Sequence, residues 1–408
     1  MISLSAGNKR IHTTITLPSS KSESNRALII QALSRSPIEL HNLSPARDTR
    51  TLIRLLESEG HVLDVIDAGT TMRFLTAYFA AVGRDQILTG TPRMCKRPIG
   101  ELVDALRSLG ADIQYWNQEG FPPLHIVSKG ARLHGGELQM RGNVSSQFIS
   151  AILMVAPTLP GGLLLHLEGA ITSRPYIELT RSMMAHFGAE TRWEGQTLVI
   201  PEQPYRSSSY TIESDWSAAS YWYSIAALAE DADIFLPGLR ADSWQGDSQI
   251  ARLMTPFGVV TTHEPDGVRL TKGPVQLPAG PMEIDFTDTP DLAQTLAVVA
   301  AALGAPLRLY GLHTLRVKET DRILALQKEL ARFGVAMQAE DLVCTIEGQA
   351  APGGETVQTY DDHRMAMAFA PLVLKVPQLQ IDHPEVVEKS YPDFWNHLEK
   401  AGIRLQAF

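Results

Sequence analysis

Lys318, Glu319 and Arg322 fall within Arg316-Val317-Lys318-Glu319-Thr320-Asp321-Arg322, where five of seven residues are charged. Read as a helix, this stretch sets Lys318 and Arg322 four apart on one face with Glu319 beside them. The commonplace account is a salt-bridged surface. Similar clusters recur, however, wherever an apolar helix is about to begin. Lys21 and Arg26 lie among Ser19, Ser20, Ser22 and Ser24, just ahead of the apolar run 27–33. Cations there oppose the positive end of the helix dipole, unless an anion is held between the helix N-terminus and the two side chains. Gly69 leads Thr70, Thr71 and Arg73 into another apolar run, and its lack of a side chain lets backbone approach a ligand. Arg93, Lys96 and Arg97 precede Pro98, while Ser145-Ser146-Gln147 and Ser173-Arg174-Pro175-Tyr176 open two further helices. Asp285, Asp288 and Asp291 surround Pro290 ahead of the apolar stretch 292–303, Asp362-His363-Arg364 precedes 366–374, and Lys389 precedes Ser390. Each cluster alone fits ordinary capping or a solvated charge run. Convergence of such helix starts on one cleft would bind a multiply anionic pair of substrates.

The elements that must position these residues form a repeat. A helical pattern ends in glycine and a strand-like segment follows, at 52–60, 102–110, 179–188, 250–258, 324–334 and 394–402. The glycine is expected to be the left-handed residue that stops each helix. Gly60, Gly110, Gly188, Gly258, Gly334 and Gly402 lie 50, 78, 70, 76 and 68 residues apart, so the first unit lacks about a strand pair near 60–67. Short apolar or alternating runs at 163–167, 233–236, 268–271, 307–310 and 379–381 supply strands. The helix-length stretches 145–155 and 292–303 are apolar on most sides and expected to be buried. The polar segment 207–213 reads as a linker between the third and fourth copies. The fold class is α/β, with two similar domains of three units whose loops face each other.

Composition excludes several classes. The net charge of −9 argues against a general nucleic-acid binder, which would show a basic face, so local Lys and Arg clusters point to small anions. Cys95 and Cys344 make no disulfide framework, no paired Cys/His spacing suggests zinc, and no metal or cofactor is expected. The first ten residues lack a signal-peptide apolar core, and the long apolar stretches are broken by Pro and Gly, so the expectation is a cytoplasmic protein off the membrane. Gly-x-x-x-x-Gly-Lys-Ser/Thr, Gly-x-Gly-x-x-Gly and Gly-x-Ser-x-Gly are all absent. His363 is the one histidine within a charged motif, and an orienting role suits it better than that of a base.

Taken together in their collinear order, the segment 18–26, Ala68-Gly69-Thr70 with Arg73, Leu88-Thr89-Gly90 with Arg97-Pro98-Ile99-Gly100, Ser145-Ser146-Gln147, Ser173-Arg174-Pro175-Tyr176, Lys318-Glu319-Thr320-Asp321-Arg322 and Asp362-His363-Arg364-Met365 resemble the 5-enolpyruvylshikimate-3-phosphate (EPSP) synthases. The resemblance implies two inside-out α/β domains, each of three βαβαββ-like repeats, with the active site in the interdomain cleft. It implies domains of residues 1–18 plus 214–408 and of 19–213, with crossings near Pro18 and near 213–215. It also implies transfer of the enolpyruvyl group of phosphoenolpyruvate to the 5-hydroxyl of shikimate 3-phosphate, releasing phosphate through a tetrahedral intermediate. Asp291 would be the base near the 5-hydroxyl, with Glu319 and Lys21 the candidates for proton transfer at C3. Lys21, Gly69, Arg97, Gln147, Arg322, Arg364 and Lys389 would hold phosphoenolpyruvate. Lys21, Ser22, Arg26, Ser145, Ser146, Gln147, Ser173, Tyr176, Asp291 and Lys318 would hold shikimate 3-phosphate. A monomer whose partners are these two small molecules is expected.

Three residues depart from the family pattern. Asp67 replaces an Asn and would repel an anionic ligand unless a cation pairs with it; Thr314 replaces an Asn, and Phe74 replaces a Pro beside Arg73. Two rival readings are the sister transferase acting on UDP-N-acetylglucosamine, which depends on a loop cysteine such as Cys95, and a non-catalytic phosphate-ligand-binding protein of the same fold.

Overall fold

The computed structural model describes residues 1–128, 133–340, 343–351 and 356–407. The chain divides into a terminal unit, Met1–Ser19 with Glu213–Phe408, and a central unit, Ser20–Ile212.

In the terminal unit three four-stranded sheets repeat one pattern. Met282–Asp285 pairs in parallel with Leu307–Tyr310, which pairs antiparallel with Val343–Glu347, itself antiparallel to Ala336–Glu340. Arg10–Thr14, Asp231–Pro237, Gly267–Lys272 and Val259–Glu264 follow the same order. So do Thr356–Val357, Leu379–Ile381, Ile2–Ala6 and Ile403–Ala407. Two antiparallel strands need only a hairpin, whereas the parallel pair needs a helical crossover, so each sheet carries helices of its own. The helices Trp216–Leu228, Ala293–Leu303 and His363–Phe369 pack on one another at the centre. They are apolar around nearly their whole circumference and rich in Ala, which lets backbones approach closely and leaves almost every residue buried.

The central unit repeats the pattern twice, in Val62–Asp64, Gln86–Thr89, Leu124–Val127 and Asp112–Tyr115, and in Gly136–Arg141, Leu163–Glu168, Thr197–Ile200 and Arg192–Glu194. Its third sheet has two strands, Ile38–His41 parallel to Ser208–Thr211. The outer antiparallel strand pair present in the other five sheets is the missing strand pair of the short first unit. Six repeats, the first truncated, are therefore borne out. Each unit buries one continuous apolar core.

Three local readings are corrected. Residues 207–213 are not a linker: Ser208–Thr211 gains backbone partners from Ile38–His41, which outweighs its polar composition. Five of the six repeat glycines have positive φ, but Gly60 does not; its helix, Arg47–Leu56, has already ended at Glu57. Lys318 and Arg322 do not share a helix. A 3-10 turn, His313–Val317, stops at Lys318, whose backbone is extended, and a new helix, Arg322–Arg332, starts under the Asp321 N-cap.

Candidate active site

In the terminal unit, helix beginnings bring the acidic and basic candidates together. Asp215 caps the helix that carries Ser217, the turn Pro290–Leu292 carries Asp291, Asp321 caps the helix starting at Arg322, and Asp362 caps the helix that carries Arg364. Caps of this kind satisfy the first free N–H groups of a helix, so each chain entry is held rigidly where its next charged residue projects.

Asp291 is the hub. Its Oδ1 accepts from Arg322 Nη1 at 3.0 Å and its Oδ2 from Arg364 Nη2 at 2.9 Å, while Lys318 Nζ stands 3.8 Å from Oδ1. Arg322 also donates from Nε to Asp362 Oδ2 at 2.7 Å and from Nη2 to Glu319 Oε2 at 2.9 Å. Lys389 Nζ lies 3.8 Å from the other Glu319 oxygen. Asp291, Lys318, Glu319, Arg322, Arg364 and Lys389, proposed from widely spaced segments, thus form one network. Burial pushes the Asp291 carboxyl up, but Arg364, Lys318 and Arg322 outweigh it and hold the group well below the usual carboxylate range. Burial lowers the Arg322 guanidinium, yet Asp362, Glu319 and Asp291 together raise it above its ordinary value.

Sequence reasoning missed part of this network. Arg364 also donates to Tyr221 Oη at 3.4 Å and to Ser217 Oγ at 3.3 Å, and Ser217 Oγ donates to the buried Asp247. Burial first, then the Asp291 charge, raises the Asp247 carboxyl to about 6, against the opposing pull of Arg364. Nothing local marks Asp247, which lies in a short turn, Gly246–Gln249.

In the central unit four helix N-termini gather around the segment after Ser20. Ser20 caps the helix Lys21–Leu33 by accepting from Glu23 N, and Ser145 caps Ser146–Val155 by accepting from Gln147 N. Arg26 is 1% exposed and donates from Nε to Thr180 Oγ1 at 2.7 Å, from Nη2 to Ser150 Oγ at 3.1 Å and from Nη1 to Ser22 Oγ at 3.2 Å. It reaches the Tyr176 carbonyl at 3.4 Å and lies over the Phe74 ring. Because Ser22, Ser150 and Tyr176 each lie in the first turns of different helices, Arg26 ties those N-termini to one end of the unit. Asn25 adds the fourth by donating to Thr70 Oγ1 at 2.7 Å. Burial pulls the Arg26 guanidinium down to about 10, against Tyr176 and Glu23.

Gly69 and Arg97 also meet. A Cβ at Gly69 would fall 2.8 Å from Arg97 Nη2, so only glycine lets that guanidinium lie against the helix start. Arg73 braces the approach by donating to the Pro98 carbonyl at 2.9 Å. Lys21 Nζ pairs with Asp48 at 3.4 Å. Ser173, which leads Tyr176 into its helix, is held left-handed at φ 53°. The departure at Asp67 is neutralised, since Arg47 Nη2 contacts both its oxygens at 3.0 and 3.1 Å. The Cys95 thiol donates to the Gly90 carbonyl.

Chemically, each cluster gathers hydroxyls, helix N-termini and Arg or Lys side chains at one end of its unit, which suits anionic oxygens. In the terminal unit the carboxylates of Asp291, Glu319 and Asp362 stand among these cations, an arrangement that suits proton transfer.

The sequence pattern of the family described as EPSP synthase (3-phosphoshikimate 1-carboxyvinyltransferase) matches residues 5–398. A 3-phosphoshikimate 1-carboxyvinyltransferase of Bacteroides fragilis (strain YCH46) is 49% identical over 404 aligned residues, covering 97% of each chain. One from Aliivibrio fischeri (strain ATCC 700601 / ES114) is 34% identical, covering 96% of this chain and 97% of that one. Among solved structures, an EPSP synthase from Acinetobacter baumannii has a TM-score of 0.78 at 23% identity, covering 100% of this chain and 99% of that one. At that identity the structural likeness speaks to the fold. Among the described residues no helix is long and apolar enough to cross a membrane.

Proposed function

We infer the roles of the two clusters from the premise that the chain belongs to the EPSP synthase (3-phosphoshikimate 1-carboxyvinyltransferase) family. Its activity is transfer of the enolpyruvyl group of phosphoenolpyruvate to the 5-hydroxyl of shikimate 3-phosphate, with release of phosphate. The observation that carries the assignment of roles is the Asp291 hub, where one carboxylate is held by Arg322, Arg364 and Lys318.

Addition requires the 5-hydroxyl to lose a proton while C3 of phosphoenolpyruvate gains one, and elimination requires C3 to lose one as phosphate leaves. Asp291 accepts the hydroxyl proton. A carboxylate bound by two guanidinium groups is a poor base, because its negative charge is already satisfied. Phosphoenolpyruvate brings its own carboxylate and phosphate to Arg322 and Arg364, whose planar forks suit both groups. As those anions take up the guanidinium donors, Asp291 loses its cations and gains basicity. Substrate binding and base activation are thereby one event. Glu319, between Arg322 and Lys389, and Lys21 are the groups for proton transfer at C3. Lys389, Arg97 and Arg364 neutralise charge on the departing phosphate, a stabilisation that grows in the transition state.

Phosphoenolpyruvate is assigned to Lys21, Gly69, Arg97, Gln147, Arg322, Arg364 and Lys389. Shikimate 3-phosphate is assigned to Lys21, Ser22, Ser145, Ser146, Gln147, Ser173, Tyr176, Asp291 and Lys318, with Arg26 acting through Ser22. The protein is assigned to the cytoplasm as a monomer, which light scattering on a sizing column tests. The deciding assay measures phosphate release from phosphoenolpyruvate. Release that requires shikimate 3-phosphate, and is not supported by UDP-N-acetylglucosamine, is expected. Binding of both substrates without release would leave only a phosphate-ligand-binding protein.

A further inference from the structure

His61, Asp85 and His125 are 24 and 40 residues apart in sequence yet meet at one edge of a central-unit sheet. His61 immediately precedes the strand Val62–Asp64, Asp85 precedes Gln86–Thr89, and His125 lies within Leu124–Val127. These are three adjacent strands, with Ile87 directly opposite His125 and its N–H donating to the His61 carbonyl at 2.9 Å. Backbone pairing therefore fixes where all three side chains start. His61 Nε2 and His125 Nε2 converge on the same carboxylate oxygen, Asp85 Oδ1, at 2.7 and 2.9 Å. All three atoms lie within 4.8 Å of one another, and the imidazoles stand edge to face with centroids 5.7 Å apart. The second Asp85 oxygen accepts from Ser128 N at 3.1 Å, which orients the carboxylate as an outer-shell partner orients a metal ligand.

Two imidazole nitrogens and one carboxylate oxygen are a three-ligand set for a borderline divalent ion. With metal–ligand bonds of about 2.0–2.2 Å, tetrahedral ligands stand ~3.3 Å apart. The two nitrogen–oxygen separations need to open by only a few tenths of an ångström to admit the ion. His61 is exposed and the other two are half-exposed, which gives the ion an entry path and leaves room for water as fourth ligand.

We propose that His61 Nε2, His125 Nε2 and an Asp85 carboxylate oxygen form a divalent-metal site of the zinc class that fastens three neighbouring strands of this sheet. The site is structural, not catalytic. It lies at the start of Gln86–Thr89, whereas the loop to Arg97 leaves from the other end, ~13 Å along the strand. The three ligands escape a sequence reading because no two are close enough to make a recognisable spacing.

The test uses untagged, chelator-treated protein titrated with Co²⁺ and then Zn²⁺. One saturable equivalent of Co²⁺ with visible ligand-field absorption, displaced by Zn²⁺, is expected, together with a higher melting temperature in Zn²⁺. His61→Gln and His125→Gln should abolish the absorption and the melting shift while phosphate release stays at the wild-type rate. His61 is exposed enough that its replacement leaves the fold intact, and circular dichroism checks this. Absence of a saturable Co²⁺ spectrum in the wild type would overturn the proposal and leave a His–Asp–His hydrogen-bond cluster. An undiminished spectrum in the His61→Gln/His125→Gln double variant would overturn it equally.

Discussion

Arg322 Nη1 donates to Asp291 Oδ1 at 3.0 Å, joining a side chain only 2% exposed to the carboxylate assigned as the base. The same guanidinium holds Glu319 and Asp362, so one buried cation sets the position of three carboxylates. Asp291 is further shared with Arg364, whose other contacts run to Ser217 and Tyr221. On the proposed mechanism a base locked in this way is ionised but unreactive until competing anions arrive, which would link catalysis to occupancy.

Asp291→Asn keeps the shape and removes the proton acceptor. Turnover measured by phosphate release should fall by about 10²–10⁴, the usual worth of a positioned general base. Affinity for shikimate 3-phosphate, read by fluorescence or calorimetry, should change far less. Near-wild-type turnover would remove Asp291 from its role.

Arg322→Met leaves Asp362, which is fully buried, without the cation that contacts it at 2.7 Å. Removing one partner of a buried pair costs about 3–5 kcal/mol, because the remaining charge stays desolvated. Urea unfolding should show that loss. Arg322→Lys should recover only part of it, since an ammonium cannot span three carboxylates at once.

Arg26→Met cuts the donors to Thr180, Ser150 and Ser22 that tie three helices together. Hydrogen bonds from a charged group are worth on the order of 1.5–3 kcal/mol each, so the melting temperature should drop clearly. Arg26→Lys should fold better yet raise KM for shikimate 3-phosphate more than it lowers kcat. An unchanged KM would detach Arg26 from that substrate.

Asp247 gives a pH signature. Its folded value, about 6, lies above the ordinary 3.8, so between those values the native state binds its proton more tightly than the unfolded chain does. The contribution to stability is therefore lost as pH climbs from about 4 through about 6, and the deficit is complete above that. Asp247→Asn cannot titrate. Variant stability minus wild-type stability should become more positive from pH 4 to 7 by on the order of 2–3 kcal/mol. A difference that stays flat across this range would show that Asp247 is not held in its neutral form.

Ser173 adopts a left-handed conformation at φ 53°, which a side chain resists and glycine does not. Ser173→Gly should be more stable than Ser173→Ala by about 1–2 kcal/mol. Both should raise KM for shikimate 3-phosphate, because both remove the hydroxyl. Equal stability of the two variants would mean that the strain is absorbed elsewhere.

Much of this protein follows from its sequence by itself. Helix periodicity, terminal glycines and Ser, Thr or Asp caps are local signals, and they marked six repeats, the truncation of the first and the helix starts that carry Lys21, Gly69, Ser145 and Arg364. Local signals could not decide which charges meet. Asp291 finds Arg322 and Arg364 from 31 and 73 positions away, through sheet pairing and helix packing that no window of sequence contains. Tertiary structure alone separated Lys318 from the Arg322 helix, recruited Asp247 and Ser217, and turned 208–211 into a strand by giving it a partner. It also buried Arg26 among Thr180, Ser150 and Ser22. The physical reason is the same in each case: a helix start is specified by its own few residues, whereas the environment of a charge is specified by whatever the rest of the chain packs against it.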